Sequence, residues 1–132
     1  MKKVVVNGTF DIIHVGHLRM LQLARNLGDY VLVCIDTDRR VKQLKGEDRP
    51  INDQFERAEL LQNLKTVDEV MFFDSQAELE KILEDYKADY MVKGSDHRNG
   101  NGTALKYCKE VIYFDRIEEY STTKKIQYIT NR

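Results

Sequence analysis

The chain has 132 residues, of which 42% are hydrophobic, and 21 basic against 22 acidic side chains leave a formal net charge of -1. This length predicts a single domain over residues 1–132, and the balanced charge argues against a nucleic-acid binder, which would be clearly basic. Two isolated cysteines, Cys34 and Cys108, form neither a disulfide framework nor a zinc site. Since no apolar stretch could span a membrane or serve as a signal peptide, we expect a soluble cytoplasmic protein that is mature from Met1.

Short apolar runs alternate with helical patterns in the first half of the chain. Residues 4–7 and 30–35 are rich in β-branched side chains and predict buried strands, with Cys34 inside the second. Between them, residues 17–27 carry apolar side chains near helical spacing, and Gly28 ends that helix. A second helix is predicted from an N-cap at Asn52 to residue 64.

The second half continues this alternation. Strands are predicted at residues 69–73, 90–92 and 111–114, and helices after Ser75, over 103–108 and from Ser121 or Thr122. Strands that are apolar on both sides and separated by helices predict an α/β fold with one doubly wound, parallel five-stranded sheet. Residues 36–51 and 93–102 lack periodicity, and each follows the carboxyl end of a strand. We therefore predict that both are ligand-binding loops.

The turn after the first predicted strand has the composition of a phosphate site. Gly8 permits a tight turn and close approach of a ligand, and Gly16 lies where the first helix begins, so that backbone N–H groups and the helix dipole attract phosphate there. His14 and His17 are three residues apart and can share one face. Two such histidines also occur by coincidence, so the pair taken alone leaves function and chance equally open.

The whole turn is more specific than its parts. Gly8-Thr9-Phe10-Asp11, two residues, and then His14-Val15-Gly16-His17 resembles the cytidylyltransferase-like nucleotidyltransferases, whose hallmark is an HxGH signature. The resemblance implies a Rossmann-like fold and a phosphate oxygen of an acceptor that attacks the α-phosphorus of a nucleoside triphosphate, with pyrophosphate as the leaving group. It also implies Mg²⁺ held mostly by the triphosphate, with no protein metal ligand, and a homodimer.

Two further segments extend the resemblance. Ser121-Thr122-Thr123, followed by Lys124, matches a phosphate-binding "STT" element, although by itself it would be an ordinary helix cap. The segment from Lys45 to Arg57 looks like the "LKG…RP(V/I)N…ER" region of the D-glycero-β-D-manno-heptose 1-phosphate adenylyltransferases. In that family the lysine of this segment contacts phosphate, which implies the same role for Lys45. Arg57 of this chain is a candidate for orienting the substrate. The alternative for Lys45 and Arg49 is a solvated loop charge.

The remaining segments match less well. Lys93-Gly94-Ser95-Asp96 resembles the "LVKGGDY" segment of the heptose enzymes, with Ser95 in place of a glycine. Arg116 stands where glycerol-3-phosphate cytidylyltransferases carry the arginine of "RTEGxSTT", but Glu119 replaces the glycine of that motif. These departures leave the base preference open between ATP and CTP.

The favoured interpretation is transfer of a nucleoside monophosphate, from ATP by preference, to a sugar 1-phosphate such as heptose 1-phosphate. The alternatives are a glycerol-3-phosphate cytidylyltransferase, an FAD synthetase-like adenylyltransferase, and a nucleotide-binding module without catalysis. The resemblance implies catalytic roles for His14, His17 and Lys45, and contact with the acceptor substrate by Asp11, Lys45 and Arg57. It implies nucleotide contacts by Gly8, Thr9, Phe10, Gly16, Lys93, Gly94, Asp96, Arg116, Ser121, Thr122 and Thr123.

Overall fold

Five apolar segments form one parallel sheet. The computed structural model describes residues 1–94, 106–115 and 122–130, the last range with side chains only from Ile126 onward. The strands are β1 (Lys3–Gly8), β2 (Tyr30–Asp36), β3 (Glu69–Phe73), β4 (Ala88–Gly94) and β5 (Cys108–Phe114), in the spatial order β3-β2-β1-β4-β5. Every pairing between neighbouring strands is parallel. The predicted five-stranded parallel sheet is confirmed.

Helices cover both faces of this sheet because its strands are apolar on both sides. They are α1 (Val15–Leu27), α2 (Asp38–Lys45), α3 (Gln54–Gln62), α4 (Gln76–Tyr86) and α5 (Thr122–Thr130). Helices α1 and α3 pack with Val4 and Val6 on one face, whereas α4 packs with Val5 on the other. Cys34 lies fully buried in the second cluster, as predicted.

The order of the strands fixes where a ligand can bind. Strand β1 lies at the centre and pairs with β2 on one side and β4 on the other. The chain therefore leaves the central strands in opposite directions, and the carboxyl ends of β1 and β4 form the switch point, where ligand crevices lie in sheets of this kind. The turn after Gly8 and the end of β4 at Gly94 border the crevice expected there.

The structure corrects three details of the prediction. Residues 36–51 contain helix α2, which the sequence pattern missed because Val41 is its one buried side chain. Helix α3 is capped by Asp53 rather than Asn52, because the Asn52 amide is bonded elsewhere. Cys108 begins β5 instead of ending a helix, and residues 103–105 of that predicted helix lie outside the described residues. Within the described ranges, no helix combines the length and apolarity needed to cross a membrane.

Candidate active site

The two histidines of the first turn are built into the start of helix α1. His14 is the N-cap residue, and its Nδ1 accepts a hydrogen bond from the Gly16 N–H at 3.1 Å. The His14 N–H in turn donates to Nδ1 of His17 at 3.2 Å. The two rings stack with centroids 3.9 Å apart. This reciprocal capping box satisfies two backbone donors that a helix start otherwise leaves without partners.

The capping bonds decide which ring nitrogen carries the proton. A nitrogen that accepts an N–H bond holds no proton, so each neutral imidazole carries its single proton on Nε2. In their neutral form both rings therefore donate through Nε2, at the positive end of a helix dipole. Such a pair can donate to phosphoryl oxygens without first becoming charged.

Gly8 and Phe10 shape the turn beneath the histidines. Phe10 has a φ of 53°, in the left-handed region that a bulky side chain rarely adopts. Its buried ring lies with its centroid 5.0 Å from that of His17 and occupies the space where a Cβ on Gly8 would come 3.1 Å from Phe10 Cε2. Gly8 therefore makes room for Phe10. The ring of Phe10 is packed inside the protein, so its predicted contact with nucleotide can come only from its backbone.

Asp11 ties the first turn to the segment before α3. Its carboxylate, 2% exposed as a residue, accepts from the N–H groups of Ile51 and Asn52, each at 2.8 Å. The Asn52 side-chain amide donates back to the Asp11 carbonyl at 2.9 Å. Arg49 Nε lies 3.5 Å from Asp11 Oδ2. Asp11 thus positions the loop that was predicted to contact the acceptor.

Arg57 is fully buried, with 0% of the residue exposed. Its Nη1 donates to the carbonyls of Thr9 and Asp36, its Nε donates to the Asn52 carbonyl, and its Nη2 donates to Asp38 Oδ1. The predicted contact of Arg57 with substrate is therefore corrected, since a guanidinium closed off from solvent cannot reach a ligand. Its role in the structure is to hold the first turn, the end of β2 and the start of α3 together.

Asp36 is the last residue of strand β2 and lies beside the first turn. Its carboxylate lies 3.3 Å from Arg40 Nε and accepts a long hydrogen bond of 3.5 Å from the Thr9 hydroxyl. Burial raises the pKa of Asp36, and the positive charges of Arg40, Lys45 and Arg57 oppose that rise. Lys45 is exposed at the end of α2 and lies close enough to Asp36 to affect its charge. The structure therefore brings Thr9 and Lys45 to the same edge of the sheet.

The far side of the crevice is described only in part. Lys93 and Gly94 end strand β4, and burial lowers the pKa of Lys93. Thr122 and Thr123 begin helix α5, where a helix start was predicted. Asp96, Arg116 and Ser121 lie outside the described residues, as do Ser95 and Glu119. Among the residues that are described, no group of three or more acidic, histidine or cysteine side chains could hold a metal ion.

Sequence reasoning missed the charged contacts behind the first turn. Asp36, Asp38 and Arg40 were hidden in a segment without apolar periodicity, and for Arg49 a solvated loop charge was left open as the alternative. The signal available was Thr37-Asp38, a typical helix start, which would have predicted α2. The burial of Arg49 had no such signal, because it depends on Asp11, which is 38 positions earlier in the chain.

Comparison with known proteins agrees with this geometry. The sequence profile of the cytidylyltransferase-like family matches residues 5–127. The chain belongs to this family. Its HxGH turn follows β1, the central strand of the parallel sheet.

Relatives and solved structures refine the placement within the cytidylyltransferase-like family. The chain is 45% identical over 126 residues to "Bifunctional protein HldE" of Nitratiruptor sp., covering 94% of this chain and 27% of that protein. It is 43% identical over 128 residues to the protein of the same name from Helicobacter hepaticus, covering 97% and 26%. The chain thus spans about a quarter of the length of these relatives.

A solved structure supports the fold alone. The lipopolysaccharide core biosynthesis protein of Thermoplasma volcanium superposes with a TM-score of 0.71 at 24% identity, covering 89% of this chain and 98% of that one.

Proposed function

We propose that this chain is a nucleotidyltransferase domain over residues 1–132 that transfers the adenylyl group of ATP to a sugar 1-phosphate, with heptose 1-phosphate as the favoured acceptor. The observation that carries the proposal is the capping box of His14 and His17 at the start of α1, which favours the tautomers with Nε2 of each ring as the donor. The similarity to the bifunctional HldE proteins, together with the segment from Lys45 to Arg57, supports the choice of acceptor.

The reaction needs no protein nucleophile. An oxygen of the acceptor phosphate forms a bond to the α-phosphorus, the bond from that phosphorus to the bridging oxygen breaks, and pyrophosphate leaves with the electron pair. The two imidazoles donate hydrogen bonds to the phosphoryl oxygens as negative charge develops there, and they do so from fixed positions. Lys45 supplies positive charge on the acceptor side of the crevice.

The triphosphate is held by the edge of the sheet and the helix start. Backbone groups of Gly8, Thr9, Phe10 and Gly16 border it on one side. Lys93 and Gly94 at the end of β4 contact the nucleotide on the other side. Contacts by Asp96, Arg116, Ser121, Thr122 and Thr123 stay predictions of the sequence.

Mg²⁺ accompanies the triphosphate in this proposal. The donor set fits a loosely held ion, because the Asp11 carboxylate is occupied by backbone N–H groups and that of Asp36 lies against Arg40. The triphosphate oxygens and water are then the main ligands. When bound, the ion neutralises charge on the departing pyrophosphate.

We also propose a cytoplasmic location and a homodimer. The homodimer is proposed by family resemblance and is testable by light scattering coupled to size-exclusion chromatography.

A substrate matrix tests the function. ATP, CTP, GTP and UTP are each combined with heptose 1-phosphate, other sugar 1-phosphates, glycerol 3-phosphate, phosphocholine and FMN, with pyrophosphate release as the measurement. We expect the highest kcat/KM for ATP with heptose 1-phosphate. A preference for CTP with glycerol 3-phosphate would replace the acceptor and the base together, and the absence of turnover with every pair would leave only nucleotide binding.

A further inference from the structure

Three arginines contact the first turn or the end of β2, and their guanidinium groups are satisfied to different degrees. Arg57 donates four hydrogen bonds within the protein. Arg40 Nε is buried without a hydrogen-bond partner, but its guanidinium carbon lies 5.6 Å from the centroid of the Phe73 ring, a distance at which the ring face attracts a cation. Arg49 has neither kind of partner among the described residues. Its position in the fold is thus the one that internal contacts explain least.

Arg49 is held beside Asp11, but its guanidinium makes few hydrogen bonds within the described protein. Its side chain is only 14% exposed, and Nε lies 3.5 Å from Asp11 Oδ2. Nε is buried without a hydrogen-bond partner, and neither Nη donates to a described residue. The Asp11 oxygens already accept from two backbone N–H groups. The buried Nε carries the cost of an unmade hydrogen bond, whereas the Nη groups are not among the buried atoms and keep donors that a ligand can use.

The backbone around Arg49 is fixed from three directions. The Arg49 N–H donates to the Gly46 carbonyl at 3.2 Å, and Lys42 Nζ donates to the Arg49 carbonyl at 3.2 Å. Asp11 binds the N–H groups of the next two non-proline residues, Ile51 and Asn52. The Arg49 side chain is therefore more restricted than that of an exposed loop arginine, and its donors are preorganised for a ligand.

We propose that Arg49 binds the phosphoryl group of the acceptor substrate through its two Nη groups, while Asp11 keeps the guanidinium in place. The inference depends on the proposed function and names the residue that recognises the acceptor. A planar guanidinium matches two oxygens of a phosphate monoester at once. The acceptor dianion must also approach a triphosphate of the same sign, and a fixed cation on the acceptor side lowers that repulsion.

The location of Arg49 fits the acceptor better than the triphosphate. Asp11 links it to the turn that carries His14 and His17, whereas its own loop follows α2 and Lys45. The start of α1 supplies the triphosphate contacts in the proposed function. Arg49 then faces the same reaction from the side of the attacking oxygen, and it takes no part in bond making beyond holding that oxygen.

Steady-state kinetics of the full chain tests this role. Pyrophosphate release is measured with heptose 1-phosphate and ATP, each varied in turn, for the wild type, Arg49→Gln, Arg49→Lys and the control Arg19→Gln, which removes the same charge from an exposed position on α1. For Arg49→Gln we expect kcat/KM for the acceptor to fall about 10- to 100-fold, the loss typical of a hydrogen bond to a charged group. The KM for ATP should change less than about threefold.

The variants separate binding from folding. Arg49→Lys keeps the charge beside Asp11 but loses the two-pronged contact, so its acceptor KM should lie between those of the wild type and Arg49→Gln. Arg19→Gln should match the wild type in both KM values. Thermal melting is recorded for each variant, and if Arg49→Gln does not fold, the same comparison is made with Arg49→Lys. Unfolding of both variants would assign Arg49 a structural role and overturn the proposal.

The remaining outcomes are distinguishable. An unchanged acceptor KM in a folded Arg49→Gln, with an active wild type, overturns the role of Arg49 and leaves the proposed function standing. A rise in the KM for ATP alone would place Arg49 in the triphosphate site and also overturn it. If the wild type releases no pyrophosphate with any acceptor, the proposed function fails first, and the inference fails with it.

Discussion

In the proposed function, the imidazole ring of His14 both caps the helix and binds the ligand. Its Nδ1 caps α1 through the Gly16 N–H, and its Nε2 carries the proton that a phosphate oxygen can accept. Asn, Asp and Ser are the usual choices for such a cap, so stability alone does not call for an imidazole at this position. The side chain that holds the helix start also fixes the direction of the donor.

The two roles of His14 separate in the variant His14→Asn. The shorter amide keeps the ability to cap α1, so the melting temperature should stay within about 2 °C of the wild type. The Nε2–H donor is lost, and kcat should fall about 10²- to 10³-fold, the usual cost of removing one donor to a developing charge. Thermal denaturation and pyrophosphate release measure the two effects. A variant with wild-type kcat would show that only the cap matters.

At the scale of elements, Arg57 connects pieces that are far apart in sequence. It lies in α3 and bonds the carbonyl that follows β1, the carbonyl that ends β2 and the carbonyl of Asn52. The loop carbonyls at the carboxyl edge have few backbone N–H partners, so the buried guanidinium of Arg57 supplies the hydrogen-bond donors instead. Removing it leaves several acceptors without donors in a region closed to water.

The variant Arg57→Met tests this connection. Methionine fills a similar volume but donates no hydrogen bond, so the free energy of unfolding should fall by about 3–5 kcal/mol, as when one member of a buried polar network is removed. Urea denaturation gives the value. The exposed control Arg19→Met should change it by less than about 0.5 kcal/mol. A loss below 1 kcal/mol for Arg57→Met would contradict a central role for its bonds.

Elements differ in how well the sequence predicts them. Strands β1 and β2 were predictable because their apolar runs are continuous, and the bounds of β3 were predicted without error. Helix α2 was missed because its sequence is mostly charged and contributes only Val41 to the interior. The first turn could be recognised locally, whereas Asp11 and Arg57 could be given a structural role only once residues 40 or more positions away were placed beside them.

At the scale of the whole molecule, the predicted parallel sheet follows from alternation alone, and the position of the crevice follows from the strand order. The central strands of that sheet are deeply buried, with Val4, Val5 and Val6 of β1 at 0% exposure. Cys34 lies on β2 with none of its surface exposed, and burial raises the pKa of its thiol to about 12. At neutral pH it is therefore a protonated side chain packed among apolar neighbours, with very little of the reactive thiolate.

Alkylation of Cys34 measures the opening of the whole sheet. In a Cys108→Ser variant, which leaves one thiol, iodoacetamide at pH 8 should label Cys34 only in globally unfolded molecules. Mass spectrometry follows the labelling, and its rate should rise with urea in parallel with the unfolded fraction. Labelling in native buffer at the rate of a small-molecule thiol would contradict a buried, protonated Cys34.

The anchoring of residues 51 and 52, which precede α3, has an evolutionary consequence. Asp11 binds the loop through the N–H groups of residues 51 and 52, and Arg57 binds it through the carbonyl of residue 52. Main-chain groups are present whatever the side chain, so the side chain at position 51 can change without loosening the attachment. Under the proposed function, substitutions at position 51 would change which phosphorylated compound is accepted while the turn that carries His14 and His17 keeps its attachment to this loop.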